Sequence, residues 1–169
     1  RAALAARLAA EAAALPETLF FGAGHVGRAL AAALALLPVR LALIDQRAAE
    51  LALAAPGVPT RLTALPEAEV ARAGPGAAFV VMTHDHGLDF LIAGAALDRG
   101  DAAYVGLIGS ATKRARFEAW RRRAGATAAG LVCPIGGATG DKRPAVIAAL
   151  AAAEIITALS ARAMAAAAR

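Results

Sequence analysis

An α/β fold, with a mostly parallel, doubly wound sheet covered on both faces by helices, is predicted from three observations. Short continuous apolar runs alternate with helical patterns along the chain, as expected of strands buried on both faces. The stretch Leu19 to Gly27 reads as strand, tight turn and helix start, and Gly22, Gly24 and Gly27 fit G-x-G-x-x-G. A second apolar run, Val39 to Ile44, ends in Asp45, close to the spacing of a carboxylate that binds ribose hydroxyls. A chain of 169 residues suits one three-layer Rossmann-like domain.

Taken in order, residues 1–16 are expected to form an N-terminal helix or linker, and residues 17–169 the domain itself. Leu4, Leu8 and Leu15 recur at helical spacing, Arg7 and Glu11 can pair at i,i+4, and Pro16 ends the pattern. The helix after the glycine turn should run from about Val26 to Leu37 and stop at Pro38. Ala48 to Ala54 can form a helical turn, Pro56 to Pro59 a loop, Thr60 to Leu62 a weak third strand, and Pro66 to Arg72 a short helix. Ala77 to Met82 reads as strand four, followed by the polar cluster Thr83-His84-Asp85-His86 and by Asp89. A helix through Leu91, Ala95 and Leu97 ends at Gly100, and Tyr104 to Ile108 forms strand five. Ser110 is placed to cap the next helix, in which Phe117 and Trp120 serve as core or interface anchors. Leu131-Val132 leads into a second glycine-rich loop, Cys133 to Arg143, and Pro144 opens the last helix. Its expected buried stripe is Ile147, Leu150, Ile155 and Leu159, with Glu154 bordering it or partnering a loop cation.

Composition removes several function classes. Uncharged runs such as Ala29 to Val39 fall short of a bilayer span, so no membrane role is expected. A single cysteine allows no internal disulfide, which fits a reducing cytoplasm. The net charge of +5 permits an anionic ligand, but the few aromatics offer no stacking platform, and nucleic acid is not expected as a partner. Arg121 to Arg123 is expected to be a solvated helix end that complements the dipole.

Ligands of doubly wound sheets bind beyond the carboxyl ends of the strands, at the point where the order reverses. For a strand order 3-2-1-4-5 that crevice lies between strands one and four, with Gly24 and His25 facing Thr83 to His86. Lys113, Arg114 and Arg116 stand in the opening turns of a helix, where cations oppose the dipole; a bound anion would account for them, and so would side chains reaching into solvent. His84 or His86 could move protons near neutrality, or simply hydrogen-bond a loop. His-x-His at a strand end supplies too few ligands for a dedicated zinc centre. Cys133 lies near Lys142, Arg143 and a helix start, all of which lower a thiol pKa, so it could ligate a soft metal or act in sulfur chemistry; a small buried hydrophobe is the alternative. No nucleophile, base and orienting group assemble into a triad.

Leu-Phe-Phe-Gly-Ala-Gly-His-Val-Gly-Arg, Val-Val-Met-Thr-His-Asp-His-Gly-Leu-Asp, Tyr-Val-Gly-Leu-Ile-Gly-Ser-Ala-Thr-Lys-Arg-Ala-Arg-Phe, Cys-Pro-Ile-Gly and Pro-Ala-Val-Ile-Ala occur in that order between about Glu17 and Ser160. Together they resemble the Rossmann domain of the XdhC/CoxI family, the xanthine dehydrogenase accessory proteins. The resemblance implies a molybdenum-cofactor chaperone, not itself catalytic, that holds the molybdopterin, supports its sulfuration with a cysteine desulfurase and passes it to apo-xanthine dehydrogenase, as a homodimer. It implies that Gly22, Gly24, His25 and Gly27 line the crevice opposite His84, Asp85 and His86, that Ser110, Lys113 and Arg114 meet phosphate or pterin, and that Cys133, the candidate metal ligand by its thiol chemistry, and Gly136 belong to the second loop. Asp45 and Thr83 complete the expected set. The second loop departs from the family pattern at Gly137, Thr139-Gly140 and Val146. The alternatives are an NAD-dependent oxidoreductase, favoured by Asp45, and a regulatory module that senses NAD or ATP.

Overall fold

The computed structural model describes residues 2–137 and 139–168. Its elements are α1 (Ala2–Ala14), β1 (Glu17–Phe21), α2 (His25–Leu34), β2 (Arg40–Asp45), α3 (Ala48–Leu51), β3 (Thr60–Leu62), α4 (Pro66–Arg72), β4 (Ala78–Val81), α5 (His86–Asp98), β5 (Tyr104–Leu107), α6 (Ala111–Arg123), β6 (Leu131–Val132) and α7 (Pro144–Ala167). The sheet is parallel throughout and ordered β3-β2-β1-β4-β5-β6, which places the reversal between β1 and β4 as the sequence predicts.

Alternate residues of the central strands feed two cores. Phe20, Leu43, Val80 and Tyr104 face α2 and α7, while Leu19, Phe21, Ile44, Phe79, Val81 and Leu107 face α4, α5 and α6. Both sets are buried because each sheet face carries helices, and this accounts for strands that are apolar without alternation. Phe117 is fully buried, 5.3 Å from the Phe90 ring and 5.8 Å from Trp120, which makes the two sequence-predicted aromatics part of one cluster.

Several local expectations are corrected. α2 stops at Leu34, not Leu37; a turn closes through the Leu37 N–H on the Leu34 carbonyl and leaves Leu36 exposed. The buried stripe of α7 is Ala148, Ala151, Ala152, Ile155 and Leu159, and Leu150 is 42% exposed. Small residues on this stripe let α7 lie close against α2, so the packing follows alanines instead of the leucine rhythm. Glu154 accepts a hydrogen bond from the Tyr104 phenol of β5, not from a loop cation. Burial and the Glu154 carboxylate together drive the Tyr104 hydroxyl far above its ordinary pKa. Arg121 is not a solvated end: it is buried and forks onto Asp98 at 2.6 and 2.9 Å while donating to the Thr127 carbonyl. By length and composition alone α7 could cross a membrane, but Ala148, Ala151, Ala152, Ile155 and Leu159 pack it on the core.

Candidate functional site

The three fingerprint glycines carry three different loads. Gly22 has φ +115°, and a Cβ there would stand 2.2 Å from the Met82 carbonyl oxygen, so the turn is pressed against the end of β4. A Cβ on Gly27 would lie 1.9 Å from the Gly22 carbonyl oxygen, which is how closely α2 returns over its own turn. Gly24 meets nothing within 4 Å and has an ordinary φ of −66°, so the fold itself does not require glycine there. The space above it is open to a ligand.

The peptide of Ala23, between the first two glycines, is held from both sides. Its N–H donates to Asp45 Oδ2 at 2.7 Å, and its carbonyl accepts from Arg28 Nη1 at 2.6 Å. Arg28 pairs with Glu50 at 2.5 Å, and Arg47 forks onto both Asp45 oxygens at 2.9 Å. Burial raises the Asp45 pKa, but the Arg47 hydrogen bonds and the backbone N–H groups of Ala23 and Arg47 outweigh it and hold the carboxyl at about 2. The Gly22 N–H is likewise committed, to the Ile44 carbonyl. α2 has no side-chain cap, so its first-turn N–H groups, beginning at His25, present an anion-binding helix start over Gly24. Arg28 and Glu50 are absent from the sequence-derived set; the one signal for them is that Arg28 directly follows Gly27 in the motif.

The opposite lip is the end of β4. Gly22, Ile44, Asp45, Gln46, Thr83 and His84 line one cleft at the ends of β1, β2 and β4; of the expected facing set, Thr83 and His84 are in its lining, while Gly24, His25, Asp85 and His86 are not. His84 is in that lining, and His25, His84 and His86 are all exposed. Asp85 caps α5 by accepting from the Leu88 and Gly87 N–H groups, and those bonds hold its carboxyl below the usual range. Thr83 donates through its N–H (2.9 Å) and hydroxyl (2.7 Å) to Asp89 Oδ1, and Asp89 is completely buried.

The second set of residues sits elsewhere. Ser110 caps α6 through the Lys113 N–H at 3.3 Å, as predicted. The Lys113 ammonium turns inward to Asp89 Oδ2, which accounts for a cation in that first turn without a bound anion. Arg114 pairs with Glu118 at 2.8 Å and reaches the Leu131 and Cys133 carbonyls, facing the β6 edge and not the cleft. The Cys133 thiol is buried, and burial pushes its pKa up against the opposing pull of Lys113 and Arg114; the lowered pKa expected from neighbouring charge is therefore not found. Gly136, at φ +71°, packs against α7, where a Cβ would stand 3.0 Å from the Ala151 nitrogen. Among the described residues no three metal-ligating side chains come together.

Comparison with known proteins decides the relationship. The model of the XdhC Rossmann domain matches residues 19–155. The chain belongs to the XdhC Rossmann-domain family. A crystal structure of a xanthine dehydrogenase from Bacillus halodurans superposes on this XdhC domain with a TM-score of 0.73 at 20% identity, over 88% of this chain and 44% of that one. That likeness confirms the fold, and the chain spans less than half the length of that protein. No curated protein matches the sequence. Within the XdhC match lie the glycine turn, the Thr83 to His86 lip, the Ser110 cap and the second glycine loop.

Proposed function

We propose that this domain is a cofactor-binding accessory module: it holds the anionic pterin of the molybdenum cofactor in the β1/β4 crevice and releases it to an apo-xanthine dehydrogenase, without turnover of its own. Membership of the XdhC family supports this choice of ligand. The observation that carries the reading is the open, uncapped start of α2 over Gly24, two residues beyond the Gly22 that lines a cleft with Thr83 and His84. A phosphate fits that place, because first-turn N–H groups and the helix dipole favour an anion. The exposed His84 borders the cleft and can donate to or accept from a pterin edge.

The residues present fit the pterin phosphate better than the metal. Cys133 does not line the cleft and its thiol is buried and kept protonated, so the proposal assigns it no bond to molybdenum. The cofactor, when bound, would supply the redox metal to its recipient; the residues of this chain bind, orient and release it. A cysteine desulfurase and a second copy of the chain are the further partners this role calls for, in a cytoplasmic setting. An NAD reading is weakened because both Asp45 oxygens are engaged by Arg47 and Ala23, leaving the ribose-binding carboxylate committed to the loop.

The test is an anaerobic titration of the chain with molybdenum cofactor, NADH and ATP, repeated with Gly24→Val. A Cβ at Gly24 meets nothing within 4 Å, and the loss of the glycine cap costs about 1 kcal/mol. Cofactor binding that weakens at least about tenfold in the variant, a loss of about 1.4 kcal/mol, is the expected result. Binding of NADH alone, or cofactor binding indifferent to Gly24→Val, overturns it.

A further inference from the structure

Away from the crevice, a concavity of about 720 Å³ lies between α6 and the loop that leads into β6. One wall is the α6 stripe Arg114, Glu118 and Arg122, and the other is the loop through Gly125, Thr127 and Ala129. β6 has only two residues and pairs with β5 alone, so its other side ends the sheet. Toward that side the Leu131 and Cys133 carbonyls each accept from Arg114 Nη1 at 3.3 Å. Both bonds are long for N–H···O, and one guanidinium stands where the donors of a further strand would be.

The wall has a charge pattern, base then acid then base, at steps of four helical residues. Each step rises about 6 Å along the helix. Two residues of an extended strand rise about 6.6 Å and return to the same face. A strand laid beside β6 with acid, base and acid at alternate positions therefore meets Arg114, Glu118 and Arg122 nearly in register. The Arg114–Glu118 pair is 41% and 38% exposed, and such surface pairs exchange partners at little cost. This chain contains no acid-x-base-x-acid run, so a second copy does not supply the strand.

We propose that the β6 edge is a docking groove for an extended segment of a partner protein with the pattern acid-x-base-x-acid. The segment adds as a strand: its N–H groups replace Arg114 on the Leu131 and Cys133 carbonyls, and the released Arg114 pairs with an incoming carboxylate. Arg122 takes the second carboxylate and Glu118 the base. The groove is separate from the cofactor crevice, and a probe without phosphate or pterin tests it independently.

The probes are the labelled peptide Thr-Asp-Thr-Lys-Thr-Asp-Thr and its charge-swapped counterpart Thr-Lys-Thr-Asp-Thr-Lys-Thr, titrated into the whole chain with amide NMR spectra recorded alongside. The first peptide should bind about tenfold more tightly than the second. The shifts should centre on residues 125–133, and Arg122→Glu, at an exposed position, should abolish the preference. Equal affinity for the two peptides overturns the proposal, as do shifts confined to the Gly22–His84 cleft or the absence of binding at about millimolar peptide.

Discussion

The two glycine-rich loops look alike in sequence and are built on opposite principles. The first, through Gly22, Gly24 and Gly27, is fixed from outside: the Met82 backbone presses on Gly22, the Gly22 carbonyl on Gly27, and Asp45 and Arg28 grip the Ala23 peptide. The second, after Cys133, is largely held by itself. Ile135 is buried in the core and Gly136 leans on α7, but beyond them Gly137 at φ +76° meets nothing within 4 Å, and among the described residues the hydrogen bonds from there to Arg143 are local, from Thr139 to Gly137 and among Thr139, Asp141 and Arg143. Glycine content alone thus does not mark a preformed site; what matters is which neighbours need the missing Cβ.

The largest test of this contrast is Gly22→Ala. The new Cβ would collide with strand backbone that cannot swing aside, at a φ that L residues rarely adopt. A loss of about 3 kcal/mol is expected, read as a lower urea midpoint at unchanged slope. A loss below about 1 kcal/mol would show that the turn is held less tightly by β4 than the geometry requires.

Removing one grip on the first loop should have a smaller effect, and one with a pH signature. Asp45 is held at about 2 in the folded chain, below its unfolded value of about 4, so its contribution is complete above about pH 4 and is lost as pH falls through about 2. Asp45→Asn should cost about 2 kcal/mol at neutral pH, and its deficit relative to the unaltered chain should shrink across that window. A deficit independent of pH would mean that the carboxylate charge contributes nothing and only shape matters.

What the sequence disclosed follows the same division. Features written in short stretches were legible: the β1 turn, a parallel sheet from alternation, the Ser110 cap and Pro144 at a helix start. Features made by side chains distant in the chain were not. Lys113 read as a cation either awaiting an anion or reaching into solvent because Asp89, its buried partner, lies 24 residues away on α5. Arg28 joins Glu50 across 22 residues to finish the loop clamp, and Arg121 finds Asp98 across 23. Charge type is visible in a sequence, but pairing depends on which strand ends the fold brings together. The β6 edge is a further case: Arg114, expected at the cofactor, faces the other side of its helix because the Leu131 and Cys133 carbonyls lie there.

The smallest expected effect sharpens the comparison most. Gly137→Ala keeps the left-handed φ problem of Gly22→Ala and removes the collision, because the space around Gly137 is open. The cost should then be that of an L residue in the left-handed region alone, about 1 kcal/mol. Set beside Gly22→Ala, it separates the two contributions, since the excess of the first over the second is the part imposed by the Met82 backbone. Urea titrations of both variants give that difference directly. If the two losses are equal, backbone conformation explains both loops, and the idea that the first is clamped by its neighbours fails. If Gly137→Ala is the milder by about 2 kcal/mol, the first loop is a rigid cradle whose one freely substitutable glycine, Gly24, is the one facing the crevice.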